Sequence, residues 1–170
     1  MRPLTAYIAE SDKPVAVLNK TEGMDESVEG ALKYEQTLAC LKAKYHSQCL
    51  FNRKPSIVPD LRFWFDDAGT FHGSFNCNAS QQGYDTMSHG GVIAAIIDAS
   101  MAQCLMGHNI VGYTVNLSIK YRKPVLIDTM TKLETSIIAI NYSVLYSMNC
   151  KIIQNGVCVV KADGKFYKVK

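Results

Sequence analysis

Apolar residues recur along the 170-residue chain at several different spacings, and each spacing predicts a different element. From residue 25 to about residue 46, Val28, Leu32, Leu38, Leu41 and Tyr45 fall at mostly helical intervals among charged residues, which predicts an amphipathic helix in spite of Gly30. Residues 1 to about 23 keep no period and hold Pro3, Pro14 and Gly23, the signature of an irregular arm. Pro55 and Pro59 then break the helix and lead into extended chain. Residues 61–65 and 70–77 are rich in aromatic and β-branched side chains and flank Asp66-Asp67-Ala68-Gly69, so they read as a hairpin.

From Gly90 to Met106 nearly every residue is Ala, Val, Ile, Leu, Met or Cys, a length and composition that favour a helix over a strand. Such a helix, apolar nearly all round, is expected to be buried on nearly all sides. After it, Val111, Tyr113, Val115, Leu117, Ile119 and Tyr121 alternate with Gly112, Thr114, Asn116, Ser118 and Lys120 until Pro124, the period of a half-buried strand. Residues 128 to about 140, 143–153 and 157–169 are three more strand-like runs, and Asn155-Gly156 marks a tight hairpin between the last two. The order predicts an α+β domain in which an antiparallel sheet wraps around one long buried helix, with an N-terminal helical extension. The expected division is an arm and helix over residues 1–55 and the sheet-and-helix domain over residues 56–170.

Composition narrows the class. Hydrophobic residues make up 48% and charged residues 19%, the usage of a folded globular chain. A net charge of +3 without a basic cluster argues against nucleic acid as a partner. No uninterrupted apolar run reaches the length needed to span a bilayer and the first residues lack a signal-peptide core, so the chain is expected in the cytoplasm and away from membranes. Six cysteines without a Cys-x-x-Cys pair are expected to be reduced. His46, His72, His89 and His108 show no metal-ligand spacing, and no metal is expected.

Three features can carry chemistry. Ser88-His89-Gly90-Gly91 runs straight into the apolar helix, where unpaired backbone N–H groups can hold an oxyanion, or where the glycines simply make a tight entry. Asp98 is the sole ionisable residue between Gly90 and Gln103, and a carboxylate in such a helix needs either a structural partner or a catalytic task. Thr114 stands on the polar side of the next strand, where its hydroxyl either bonds that carboxylate or faces solvent.

Gln82-Gly83-Tyr84, His89 through Asp98, and Gly112 through Pro124 together resemble the hotdog-fold acyl-CoA thioesterases of the phenylacetate-pathway and thioesterase-superfamily type. The likeness spans roughly residues 60–169 and rests on His-Gly-Gly, an Asp nine residues after the His, and a strand hydroxyl ahead of Tyr-x-x-Pro. It implies a hotdog fold and hydrolysis of an acyl-CoA thioester. The implied oxyanion donors are Gly90 and Gly91, with Asp98 as base or nucleophile, Thr114 assisting and His89 shaping the turn. Gly83 stands where some relatives place an Asn that holds the carbonyl, and Ala99 where many have Glu, so Asp98 is left as the one carboxylate. Thioester hydrolysis needs these parts and no cofactor beyond the coenzyme A of the substrate. Lys120, Arg122 and Lys123 are candidate contacts for its phosphates.

Two other readings use the same fold: a non-catalytic acyl-CoA binding protein, and a hydratase or dehydratase of acyl-CoA. Phe63, Trp64, Phe65, Met87, Met101 and Met106 could line an acyl tunnel, although such residues more often form plain core. One sheet cannot cover a helix that is apolar all round, so a homodimer or homotetramer is expected. The resemblance implies that its active sites lie at the subunit interface.

Overall fold

The computed structural model describes residues 26–52 and 57–169. The N-terminal arm and the segment around Pro55 lie outside the described residues. In chain order the elements are α1 (Glu26–Tyr45), β1 (Arg62–Phe65), β2 (Phe71–Phe75), α2 (Gly90–Gly107), β3 (Gly112–Tyr121), β4 (Thr131–Asn141), β5 (Leu145–Gln154) and β6 (Val157–Lys168). The strands form one six-stranded sheet in the order β1-β2-β4-β5-β6-β3, every neighbouring pair antiparallel. Asn155 and Gly156 both take positive φ, 49° and 74°, the tight turn their identities specify.

The sheet curls around α2 because alternate residues of its strands are apolar or small. Phe71 and Phe75, Leu133, Met148 and Ile152, and Val160, Ala162 and Phe166 are all buried, and they meet Ile93, Ile96, Ile97, Met101 and Leu105 of the helix. Contact is closest at two glycines. A Cβ on Gly107 would overlap the Phe65 ring, so that position must lack a side chain, and one on Gly164 would lie 2.5 Å from Met101 Sδ and force the methionine to shift. By length and composition α2 could cross a membrane; here it is the core of the sheet.

Helix α1 packs along α2 and over the short edge strand β1. Leu38 is buried, Tyr34 stacks on Phe65 at 5.2 Å, and Lys42 Nζ donates to Gln103 Oε1 of α2 at 3.1 Å. Glu35 Oε1 accepts the N–H of Phe65 at 2.7 Å, which supplies a partner to an edge-strand donor. All six cysteines are free thiols; burial pushes Cys104 up to about 12 and Cys150 to about 11, so neither is a thiolate at neutral pH.

Two expectations need correction. The alternation of β3 is not strict: Thr114 pairs with Phe166 of β6 and Asn116 with Lys165, so Val115 is an extra residue in a β-bulge. The bulge flips the parity of the strand. Thr114 ahead of it and Leu117 and Ile119 beyond it therefore share the helix-facing side, opposite Phe166, Gly164 and Ala162. Nor is the strand half-buried, since Tyr113, Val115 and Tyr121 are 69%, 59% and 49% exposed on this edge of the sheet. The second correction concerns α2, which is sealed in its second half only. Gly90 and Gly91 are exposed, and Val92, Ala94, Ala95, Asp98 and Ala102 are partly so.

Candidate active site

The loop before α2 is fixed by backbone bonds. Gly83 donates to the Met87 carbonyl at 2.9 Å, Ser88 to the Val125 carbonyl at 2.7 Å, and His89 to the Gln81 carbonyl at 2.7 Å. Gly83 offers no side chain to a substrate; it lies against His89, whose Cα would be 3.1 Å from a Cβ at that position. His89 is the N-cap of α2, and its Nδ1 accepts the Gly91 N–H at 3.0 Å. The ring therefore occupies one of the two amides expected to face a substrate, while the Gly90 N–H has no partner among the described residues. Tyr121, which the sequence offers as a strand position and as the start of Tyr-x-x-Pro but without a role of its own, donates its hydroxyl to the Gly90 carbonyl at 2.7 Å. Burial raises the Tyr121 pKa, which keeps that proton in place.

Gly90 and Tyr121 border a cavity of about 390 Å³ whose wall also includes Tyr84, Ile93, Arg122 and Lys123. Lys120 is not on this wall; it pairs across the strands with Lys161. The cavity thus joins an unpartnered helix-start amide to two cations at the end of β3.

Two turns into α2 lies the second part of the site. Thr114 Oγ1 donates to Asp98 Oδ1 at 2.7 Å, so the helix carboxylate has the strand hydroxyl as its partner. The bond exists because the bulge turns Thr114 toward the helix. Asp98 is only partly buried, and its surroundings are the exposed stripe of α2 and the edge strand β3. Asp98 follows Gly91 by seven residues, about 10 Å of helix rise. That separation is too long for one carbonyl group to be held at the helix start and attacked from Asp98 of the same chain.

His46, just past α1, also belongs to this region, and no local pattern marks it. Its carbonyl accepts from Asn52 Nδ2 at 2.7 Å and its Nδ1 is buried without a hydrogen bond. Its pKa is lowered first by burial and then by Lys42, against the opposing pull of the Asp98 carboxylate. The imidazole is therefore neutral at pH 7.

Residues 87–146, from the loop before α2 into β5, match the Thioesterase superfamily. The chain has the hotdog fold of that superfamily. The matched hotdog segment holds His89, Gly90, Asp98 and Thr114. Among solved structures, the E. coli PaaI protein from the phenylacetic acid degradation operon is similar with a TM-score of 0.67 at 12% identity, over 83% of this chain and 96% of that one. A hypothetical thioesterase from Streptococcus pneumoniae TIGR4, solved with coenzyme A, gives 0.60 at 18% identity over 65% of this chain and 90% of its own. Another thioesterase superfamily protein gives 0.60 at 20% identity over 63% of this chain, which spans 53% of that protein's length. Among curated proteins, none matches the sequence significantly.

Proposed function

We propose that the protein is an acyl-CoA thioesterase that hydrolyses its substrate to a free acid and coenzyme A. The observation that carries this reading is the 2.7 Å bond from Thr114 to Asp98. It holds one carboxylate oxygen and leaves the other for a water. The helix-start N–H of Gly90 binds the thioester oxygen and stabilises the charge that develops on it. Asp98 takes a proton from the water as the water oxygen attacks the carbonyl carbon, and collapse of the tetrahedral intermediate breaks the carbon–sulfur bond. The proton then passes from Asp98 to the departing sulfur. Direct attack by Asp98, through an anhydride that water opens, uses the same groups.

Arg122 and Lys123 suit the phosphates of coenzyme A, and Lys120 is the weakest of the three candidates because it faces away from the cavity. The Streptococcus pneumoniae relative supports both halves of the reading. It has been solved with coenzyme A, and also with one Asp and with one Thr replaced by Ala. Those two positions are 16 residues apart, the separation of Asp98 and Thr114.

The site is completed by a second copy. The exposed stripe of α2 and the exposed apolar residues of β3 lie side by side, and a two-fold axis there brings the Gly90 amide of one chain toward the Asp98 carboxylate of the other. The test is release of free thiol from a panel of acyl-CoAs, first by the native protein and then by two variants. Asp98→Asn removes the base. Gly90→Pro removes the amide proton at a first helical position, where proline is tolerated and where the extended ψ of 128° at His89 already suits it. Each variant alone is expected to be nearly inactive. Mixed with subunit exchange they should regain about a quarter of native activity, since half the dimers are mixed and each then carries one intact site. No thiol release by the native protein overturns the thioesterase reading, and no recovery on verified exchange overturns the shared site.

A further inference from the structure

A second cavity, of about 160 Å³, is walled by Tyr45, His46, Ala102, Met106, Gly112 and Tyr113, several of which neighbour the Asp98–Thr114 pair along α2 and β3. Its position relative to the pair follows from helix and strand periodicity. Ala102 and Met106 follow Asp98 at intervals of four, so they continue its face of α2, each one turn, about 6 Å, farther along. Gly112 precedes Thr114 by two and lies on the same side of β3. The cavity therefore leads away from the reactive carboxylate toward the C-terminal end of α2. Val111 and Val169 complete a lining that is largely apolar. The remaining wall comes from the C-terminal end of α1, which α2 holds through Leu38 and the Lys42–Gln103 bond.

We infer that this cavity receives the acyl group, that it limits the acyl group to about six carbons beyond the carbonyl, the bulk of the benzene that a cavity of about 150 Å³ accepts, and that His46 sets the limit. The inference rests on the thioesterase reading and adds the substrate class to it. In the shared site the coenzyme half lies along Gly90, Arg122 and Lys123 of one chain, and the acyl half lies past Asp98 of the other chain, against that chain's Ala102 and His46. An uncharged imidazole suits an apolar acyl wall, because a charged one would have to be desolvated by the ligand.

The experiment measures kcat/KM for linear acyl-CoAs from two to twelve carbons in the native protein, in Ala102→Leu and in His46→Ala. Within each protein the activities are expressed relative to acetyl-CoA, so a variant that folds less well does not distort the comparison. The native protein is expected to lose at least about tenfold between hexanoyl- and decanoyl-CoA, a factor within the range of transition-state binding lost to a misfit chain. Ala102→Leu fills the cavity and should lower the hexanoyl ratio about tenfold; His46→Ala opens it and should raise the decanoyl ratio by a similar factor. Turnover that rises steadily to dodecanoyl-CoA in the native protein, or ratios unchanged in both variants, overturns the acyl pocket while leaving the thioesterase reading intact. Thiol release from none of the acyl-CoAs overturns both.

Discussion

The two halves of α2 are alike in composition and opposite in circumstance. From Ala99 to Gly107 every residue except Ala102 is buried, under the sheet on one side and α1 on the other. From Gly90 to Asp98 only Ile93, Ile96 and Ile97 are buried. Both halves consist mainly of Gly, Ala, Ile, Met and other apolar residues, so apolarity alone does not say what covers a helix. The sealed half is the core of one chain. The open half holds the Gly90 amide, unpartnered among the described residues, and the Asp98–Thr114 pair, and its uncovered apolar surface is where the proposed substrate and second subunit would meet. In the proposed reaction, stability and chemistry fall to different turns of one helix, and substitutions should separate them.

The largest effect is expected in the open half. Asp98→Asn should lower kcat by at least a hundredfold, about 2.7 kcal/mol of transition-state stabilisation. The melting temperature should stay within a degree or two, because Asn keeps the shape and can still accept from Thr114. Near-native turnover would remove Asp98 from the reaction, and a large fall in melting temperature would make it structural.

The sealed half should respond in the opposite way. At Gly107 an added Cβ overlaps Phe65, a buried ring held between Tyr34 and Phe71, so it has no free space to move into. Gly107→Ala should cost about 2 kcal/mol of stability and lower the melting temperature by roughly 6 °C. Activity per folded molecule should be unchanged. Loss of turnover without loss of stability would break the separation between the halves.

How much of this was legible in the sequence depends on the range of the interaction. The two helices, the hairpin turns and the sequence of elements along the chain follow from local periods, and Asn155-Gly156 specified its turn because both residues tolerate positive φ. The bulge at Val115 was not legible. An apolar residue in an alternating run looks regular, and only the register against β6 shows that one residue is extra. That one residue decides the site, since without it Thr114 would point away from the helix that carries Asp98. The occupation of the Gly91 amide by His89 and the arrival of His46 beside the cavity were equally hidden, one a matter of ring orientation and the other of packing between distant segments. Asp98 itself was legible because an ionisable group in an apolar helix requires an explanation, although the structure leaves it partly exposed rather than enclosed.

Thr114 sharpens the comparison from the strand side. Thr114→Ala removes one hydrogen bond to a carboxylate and should lower kcat about tenfold, or about 1.4 kcal/mol. Thr114→Ser keeps the hydroxyl and should recover most of that loss. If Thr114→Ala costs more than Asp98→Asn, the hydroxyl and not the carboxylate is the group that acts on water.

The smallest effect concerns the junction of α1 with the open half, and it is read through pH. Burial and the neighbouring Lys42 lower the pKa of His46 below its ordinary value of 6.5, with Asp98 opposing. As pH falls below 6.5 the unfolded chain takes up this proton before the folded one, so the contribution of His46 to stability is present above that value and is lost on acidification. Asp66 adds a fall in the same direction at lower pH. Its carboxylate is held below the usual range by bonds from His72 at 2.8 Å and from the Thr70 N–H at 2.8 Å, which outweigh its desolvation. The two windows are separable: His46→Gln should flatten the melting temperature between pH 7 and pH 5 and leave the fall below pH 4 unchanged, while Asp66→Asn should do the reverse. A native protein whose melting temperature is constant from pH 7 to pH 5 would show that the His46 ring is not enclosed against α2. That result would remove the wall it is proposed to give the acyl cavity.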